Sequence, residues 1–299
     1  MEQVDVHSHS RRERVPWVVG VSGASGTPYA AAVLRGLLDA GESVDLVVSR
    51  SSRLTLLDET GIAFRDAHWR DDLGAWLARG ADGKPDTFAR ERAPDLADVR
   101  YWAAGDLAAG PSSGSYPVKG MLIVPASTAC VAGVALGLSK DLLQRAASVT
   151  LKERRRLVVT VRETPLNGQT LKHLVTLDEA GAVVLPASPA FYAGATHIQD
   201  LADFVAGRVL DAAGVPHRLY RRWEGELGPV RPVSAGPGTP GTAPRRVAET
   251  PAGNHPAGAP APCEAPPRPW GPGRYPLHQP PRADPTRSTG QDLGGSRER

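Results

Sequence analysis

The residues best suited to chemistry follow an apolar run in the middle of the chain. Leu157 to Val161 contains only apolar or β-branched side chains, and Arg162 and Glu163 come directly after it. Such a run predicts a buried strand, and Pro165 ends any further sheet pairing. An arginine beside a glutamate at a strand end is either a structural ion pair or an anion-binding group next to a general acid–base.

A second set of cations precedes this strand. The segment from Ser139 to Arg156 has apolar residues at helical spacing, with Ser139 as the expected N-cap. Arg145, Lys152 and Arg156 fall close to one stripe of that helix. Such a stripe is usually a solvated basic face. An anion site is the alternative, and it gains weight because the helix leads into the strand with the Arg–Glu pair.

A Gly/Ser-rich turn follows the first apolar run of the chain. Trp17 to Val21 predicts a strand, Gly23 to Gly26 reads GASG, and a helix is expected from about Tyr29 to Ala40. A strand, a tight turn and a helix start leave backbone N–H groups that can bind a phosphate. The glycine spacing is neither the dinucleotide fingerprint nor a Walker loop. A mononucleotide is therefore favoured, with an unliganded turn as the alternative.

The remaining elements complete an alternating pattern. Residues 61 to 115 are hard to interpret, and we expect helices and loops that cover the edge of the sheet. Alternation predicts an α/β fold, a doubly wound parallel sheet of flavodoxin- or Rossmann-like three-layer architecture. Further strands are expected at Val44 to Val48, Met121 to Val124 and Ala182 to Leu185. Further helices are expected at Ser51 to Thr60, Asn167 to Leu177 and Ile198 to Ala213.

Composition divides the 299-residue chain into three parts. Residues 1–14 form a charged leader without an apolar core, and residues 15–225 carry the strand and helix patterns. Residues 226–299 hold 17 of the 28 prolines and show no apolar periodicity, so this tail is predicted to be disordered. Asp5 to His9 has a D-x-H-x-H spacing that some metal hydrolases use, but an unstructured leader is the favoured interpretation.

Charge, hydropathy and cysteine content exclude several classes of protein. The net charge of +3 is spread thinly, which argues against nucleic-acid binding. The longest apolar region, residues 121–138, is broken by proline and glycine, so no membrane span is expected. Cys130 and Cys263 lie in very different segments and do not suggest a disulfide, which favours a reducing, cytoplasmic location. Cys130 is interpreted as a small packed residue rather than a nucleophile.

Five motifs taken together resemble the UbiX-like flavin prenyltransferases. They are GASG at Gly23–Gly26, SGS at Ser113–Ser115, RAASVTLKERR at Arg145–Arg155, RETPL at Arg162–Leu166 and PAFY at Pro189–Tyr192. The resemblance runs from about Pro16 to Trp223. It implies transfer of a dimethylallyl group from dimethylallyl monophosphate to reduced FMN, giving a cofactor for UbiD-like decarboxylases. It also implies a homo-oligomer, typically a dodecamer, whose sites are built from neighbouring subunits.

The resemblance also implies roles for individual residues. The catalytic residues would be Glu163 as acid–base together with Ser25 and Lys152. The prenyl phosphate would be bound by Lys152, Arg162, Tyr192 and Arg208, and Trp223 would line the prenyl pocket. No acidic cluster near these motifs suggests a metal. The residues implied to hold FMN are Gly23, Ala24, Ser25, Ser49, Ser127, Thr128, Ala129, Cys130 and Arg145.

The sequence departs from the family pattern in two places. The turn Ser127–Cys130 reads STAC where the family usually has SMKT, and Ser148 replaces the aspartate of RAADV. Both changes bear on FMN affinity more than on the reaction. Two alternatives stay open, an FMN-dependent decarboxylase of the same superfamily and a non-catalytic flavin-binding accessory protein. The first usually carries a catalytic histidine near its N-terminal motif and a P-x-M-N segment, which this chain lacks.

Overall fold

The computed structural model describes residues 15–86, 95–223 and 225, so the leader motif, Cys263 and the proline-rich tail lie outside the described residues. No helix within these ranges is long and apolar enough to cross a lipid bilayer. The strands are β1 (Trp17–Val21), β2 (Val44–Val48), β3 (Val99–Ala103), β4 (Gly120–Ala126), β5 (Arg156–Val161) and β6 (Val183–Pro186). The helices are α1 (Thr27–Asp39), α2 (Ser52–Thr60), α3 (Trp69–Leu77), α4 (Thr128–Ala135), α5 (Leu142–Lys152), α6 (Gly168–Glu179) and α7 (Ile198–Ala213).

The six strands form one parallel sheet in the order β3-β2-β1-β4-β5-β6. The two central strands are β1 and β4, and Trp17 of β1 pairs with Val44 of β2 and with Gly120 of β4. The chain winds outward in opposite directions from β1 and β4, so the prediction of a doubly wound α/β fold is confirmed. In such sheets the ligand crevice opens between these two strands, beyond their carboxyl ends.

Helices cover both faces of the sheet. Every residue of β1, β2 and β4 is buried. Val19 of β1 belongs to a core shared with α1 and α7, while Val18 belongs to a second core shared with α4 and α5. Full burial of one such aliphatic side chain contributes about 1.5–3 kcal/mol. Burial on both faces explains why the strands are almost continuously apolar instead of alternating.

Two helices run against the direction of the strands, which matters for the site. The N–H of Leu142, at the start of α5, donates to the carbonyl of Ala104, just past the carboxyl end of β3 (2.8 Å). In the last turn of α7, the Ala212 carbonyl accepts a hydrogen bond from Nη1 of Arg156, the first residue of β5 (3.0 Å). Both helices therefore begin at the carboxyl edge of the sheet and end at its amino edge.

The predicted helix over residues 139–156 is shorter in the structure. Its N-cap is Asp141, whose carboxylate accepts from the Gln144 N–H (2.9 Å), and not Ser139, which has a φ of 49°. The helix ends at Lys152, and Arg156 belongs to β5. The predicted stripe of three cations is therefore wrong, and only Arg145 and Lys152 share the helix.

The interpretation of residues 61–115 as helices and loops covering the sheet edge is wrong in one respect. Val99–Ala103 is itself the edge strand, paired in parallel with β2 from Val44 to Val48. Only Val99 in this strand is fully buried, and Arg100 is exposed. The strand therefore lacks the apolar run that marked its neighbours, and pairing with β2 determines its conformation.

Candidate active site

A buried serine links the turns after β1 and β4 across the crevice. The Ser22 hydroxyl donates to the Pro125 carbonyl (2.9 Å) and accepts from the Ser127 N–H (2.7 Å). The Ser22 N–H also donates to the same carbonyl (3.2 Å). Sequence analysis did not select Ser22, although it directly follows the apolar run of β1.

The turn after β2 packs against the GASG turn. A Cβ atom at Gly23 would lie 2.5 Å from both Cβ and Oγ of Ser51, so only glycine fits at this position. Ser49 is buried, and its hydroxyl accepts from the Ser52 N–H at the start of α2 (3.1 Å). The ends of β2, β1 and β4 therefore meet in one crevice with hydroxyl groups from all three turns.

A glutamate occupies the donors that the sequence analysis assigned to a phosphate. The carboxylate of Glu59, at the end of α2, accepts from the N–H groups of Gly26 and Thr27 (both 2.8 Å) and from the Thr27 hydroxyl (2.6 Å). These groups form the N-terminus of α1, where a negative charge is stabilised by the helix dipole. The expectation of a phosphate on these N–H groups is therefore wrong, because the chain supplies its own anion.

Replacing Glu59 with alanine should lower the free energy of unfolding by roughly 1–3 kcal/mol. The reason is that three hydrogen bonds disappear and two helix-terminal N–H groups lose their acceptor. Asp58→Ala is the matched control, since Asp58 is an exposed neighbour on the same helix. Urea unfolding of both variants measures the difference. Equal stability of the two would show that the Glu59 contacts contribute nothing.

The arginine–glutamate pair lies at the same edge as the GASG turn. Nε of Arg162 donates to the Ser25 carbonyl across 137 residues of sequence (3.0 Å). Glu163 is exposed, and its carboxylate accepts only a local hydrogen bond, from the Thr164 N–H, among the described contacts (3.0 Å). The pair is therefore not a closed ion pair in this structure. Arg162 docks on the turn while Glu163 faces solvent.

A cavity of about 380 Å³ opens beside this turn. Its lining includes Ser25, Glu59 and Tyr29 together with the apolar residues Pro189 and Leu201. Burial raises the pKa of Tyr29 above its ordinary value, with Arg162 opposing the shift. The cavity thus combines an apolar wall with polar groups from α1 and α2, as ligand pockets usually do.

The turn Ser127–Cys130 begins α4. The Ser127 hydroxyl accepts from the Cys130 N–H (3.2 Å), so it acts as the N-cap of the helix. Cys130 itself is buried, and burial raises the pKa of its thiol to about 12. A thiol with this pKa is a poor nucleophile, as expected from the sequence. Thr128 and Ala129 present the remaining helix-terminal N–H groups of this turn.

Arg145 of α5 and Arg155, which follows the end of that helix, bind the segment around the SGS loop. Nε of Arg145 donates to the Ser112 carbonyl (3.1 Å), and the Arg155 guanidinium donates to the Gly114 carbonyl (2.7 Å). Lys152 is half-exposed and forms an ion pair with Glu153. A side chain at Gly114 would clash with both partners of this pair. Lys152 and the SGS loop therefore form one surface beside the last turn of α5.

A third group of predicted residues lies along α7. The Tyr192 ring packs edge-on against Trp223, with ring centroids 5.7 Å apart, and against Phe204 at 5.8 Å. Arg208, one turn before the end of α7, donates to the carboxylate of Asp211 (2.8 Å). Lys152 ends α5 and Arg208 lies in the second half of α7, so within one chain these two cations lie toward the amino edge, away from the edge that carries Ser25 and Glu163. The structure thus brings together part of the predicted site and separates the rest.

The crevice at the carboxyl edge fits a flavin mononucleotide. The close approach at Gly23 leaves a narrow backbone cradle, Ser25 is exposed at its rim, and Arg145 supplies a half-buried cation on the adjacent helix. Hydroxyl and N–H groups suit a ribityl chain, and a guanidinium suits a phosphate. The residues present are therefore compatible with the cofactor that the sequence suggested.

Comparison with known proteins identifies the family. A family model described as Flavoprotein matches residues 5–210. Flavin prenyltransferase UbiX of Streptomyces coelicolor is 84% identical over 219 residues, which cover 73% of this chain and 100% of that protein.

Solved structures agree with this assignment. AnUbiX (PadA1), in complex with FMN and dimethylallyl pyrophosphate, has a TM-score of 0.60 and 34% identity, covering 72% of this chain and 100% of that one. A dodecameric FMN-dependent UbiX-like decarboxylase from Escherichia coli O157:H7 has a TM-score of 0.58 and 31% identity, covering 71% and 100%. The chain therefore belongs to the UbiX family of flavin prenyltransferases.

Proposed function

We propose that this enzyme transfers a dimethylallyl group from dimethylallyl monophosphate to reduced FMN. The observation that carries the proposal is the carboxyl edge of β1 and β5, where Arg162 is docked on the carbonyl of Ser25 and Glu163 is open to solvent. A cation and a carboxyl group thus flank the crevice that fits the flavin. This arrangement suits departure of a phosphate next to a proton carrier.

The reaction breaks the allylic C–O bond, uses up the prenyl C=C bond and joins two prenyl carbons to the flavin. The allylic C–O bond breaks, and the phosphate leaves with the electron pair. The reduced flavin supplies the nucleophilic positions, N5 and C6, to which the prenyl carbons become joined in a new ring. Each of these positions loses a proton; one proton ends on the phosphate, and the other ends on the central carbon of the prenyl group, whose C=C bond is lost as the ring closes. The protein must therefore stabilise a growing anion, shelter an allylic cation and move protons.

Named side chains account for these three tasks. Lys152, Arg162 and Arg208 are the proposed cations for the leaving phosphate, with the Tyr192 hydroxyl as a further donor. Glu163 gives a proton to the phosphate and later accepts one from the flavin. The proposed roles of Ser25 and of the Trp223 ring are a hydroxyl contact at the reacting centre and a π face toward the allylic cation.

We also propose that the complete site forms between subunits. Lys152 ends α5 and Arg208 lies in the second half of α7, and both helices run toward the amino edge of the sheet. At about 1.5 Å per residue, α5 carries Lys152 about 15 Å from its starting edge. Residues of one chain therefore do not close around a single substrate. A homo-oligomer, which we propose to be a dodecamer like the Escherichia coli neighbour, would bring them together.

The monophosphate is the donor we favour. Enzymes that ionise diphosphates usually neutralise them with Mg²⁺ held by carboxylates. A monophosphate carries less charge, and the proposed cations Lys152, Arg162 and Arg208 can neutralise it in place of a metal ion. The related structure with dimethylallyl pyrophosphate makes the diphosphate the alternative to test.

The product and its use follow from the same proposal. A prenylated flavin is useful only to an enzyme that takes it up, and a UbiD-like decarboxylase is the proposed acceptor. Because the flavin must be reduced when it reacts, we place the reaction in a reducing compartment, the cytoplasm.

Incubation with reduced FMN and dimethylallyl monophosphate, followed by mass spectrometry of the released flavin, tests the activity. We expect the flavin to gain one prenyl unit, and we expect FMN to bind one per subunit in a titration. A parallel reaction with the diphosphate identifies the donor. Unmodified flavin with both donors, despite FMN binding, would contradict the proposed function and favour the flavin-binding accessory protein.

A further inference from the structure

One carboxylate near the end of α7 accepts four hydrogen bonds. Oδ1 of Asp211 accepts from Nη2 of Arg222 (2.7 Å) and lies 3.0 Å from Nε2 of His217. Oδ2 accepts from the Tyr220 hydroxyl (2.6 Å) and from Nη1 of Arg208 (2.8 Å). Only 18% of the Asp211 side chain is exposed, so this is a largely buried hub and not a surface ion pair.

The Asp211 carboxyl group is ionised at neutral pH. Burial of Asp211 opposes ionisation, but the hydrogen bonds from Arg222, Tyr220 and His217 outweigh burial and hold the pKa of the carboxyl well below its usual range. The single negative charge therefore faces two guanidinium groups. Removal of that charge would leave Arg208 and Arg222 as like charges without the acceptor they share.

Asp211 fixes the segment that follows α7. We call residues 214–223 the return segment, because it turns back at Gly214 (φ 76°) and runs along α7. Its Tyr220 ring packs on Phe204 of α7 (4.8 Å). Nη2 of Arg221 donates to the Tyr192 carbonyl (3.3 Å), next to the contact between Tyr192 and Trp223.

The bonds to Arg208 leave part of its guanidinium available. Its described contacts, with Asp211 and with the Tyr220 hydroxyl (3.4 Å), both use Nη1. The Nε and Nη2 groups therefore remain as donors for a phosphate, in an orientation set by the two partners. An arginine held on one side binds an anion on the other with less loss of side-chain entropy.

We propose that Asp211 is a positioning residue for the prenyl phosphate. It orients Arg208 directly, and through the return segment it holds Trp223 and Tyr192 in place. This inference rests on the proposed function of Arg208, Tyr192 and Trp223 in substrate binding. It goes beyond that function because it assigns a role to Asp211, which touches no substrate and acts only through Arg208 and the return segment.

Steady-state kinetics of the full-length chain test the inference. For Asp211→Asn we expect the KM for dimethylallyl monophosphate to rise roughly ten-fold, because Arg208 loses a charge-assisted hydrogen bond. The kcat and the Kd for FMN should stay within about two-fold, since the crevice at the carboxyl edge is untouched. Asp211→Glu should restore part of the KM. Asp178→Asn, at an exposed aspartate of α6, is the control and should change neither constant.

A double-mutant cycle separates positioning from general stability. In an Arg208→Ala background, Asp211→Asn should raise the KM by much less than in the wild type, because the two residues act through one path. If Asp211→Asn does not fold, Arg222→Gln, which leaves Asp211 and Arg208 in place, should give a smaller rise in KM.

The results that contradict this inference differ from those that contradict the proposed function. An unchanged KM in both Asp211→Asn and Arg222→Gln, or equal changes in KM and in the Kd for FMN, would overturn the positioning role while the wild type still makes product. Absence of product in the wild type with either donor would instead overturn the proposed function.

Discussion

Glu163→Gln should slow prenyl transfer by about 10²–10⁴-fold while FMN still binds. Glutamine keeps the size and the hydrogen-bonding capacity of the side chain but cannot donate a proton to phosphate or accept one from the flavin. Glu163 is exposed at the carboxyl end of β5 and has no cationic partner among its described contacts. Its loss should therefore change the chemical step and leave the fold intact.

Single-turnover measurements with preloaded reduced FMN isolate that step. The control is Glu179→Gln, which removes an exposed carboxylate at the end of α6. Turnover of the Glu163 variant at the wild-type rate would show that another group carries the proton and that the Arg162–Glu163 pair serves binding alone. A loss of FMN affinity equal to the loss of rate would assign Glu163 to cofactor binding.

Mixed oligomers of two inactive variants should regain activity. Lys152→Ala removes a proposed phosphate cation and should cost about 10²–10³-fold in rate. If Glu163 and Lys152 of one site come from different chains, co-assembly of Lys152→Ala and Glu163→Gln chains creates some sites with both residues intact. Random mixing in equal amounts gives about a quarter of the sites this composition.

The recovery must depend on mixing within one assembly. Variants purified separately and combined without subunit exchange serve as the control and should stay inactive. A chain that carries both substitutions, co-assembled with wild type, should also give about a quarter of intact sites by the same count. Activity no greater than the sum of the two separate variants would show that both residues act from one chain, against the topology of α5.

The sequence located those strands and helices correctly in which burial determines where the apolar residues lie. β1, β2 and α7 begin and end where the sequence predicts, because β1 and β2 are buried on both faces and Gly214 ends the helix. β3 was missed because it lies at the sheet edge and holds only one fully buried residue. Ser139 and Asp141 are both suitable N-cap residues for α5. Asp141 is the N-cap because its carboxylate accepts from the Gln144 N–H, a contact that residue spacing alone does not reveal.

Sequence patterns predicted the site only for residues that directly follow the carboxyl end of a strand. A parallel sheet, which the sequence predicts, has the turns after its strands at one edge, and in the structure Arg162 contacts the GASG turn at that edge. Glu59 gave no local signal, because its partners lie 33 residues away at the start of a different helix. The roles of the individual site residues stay predictions, since they depend on a flavin and on neighbouring subunits.

The hydroxyl of Ser22 has a consequence for how the flavin is received. Because it ties the Pro125 carbonyl and the Ser127 N–H to the end of β1, the gap between the two central turns has a set width before any ligand arrives. Widening it would break hydrogen bonds inside the protein. If the flavin binds in this crevice, as proposed, it enters a slot that is already ordered. Little conformational entropy would then be lost on binding, and the shape of the incoming molecule would decide which ligand fits.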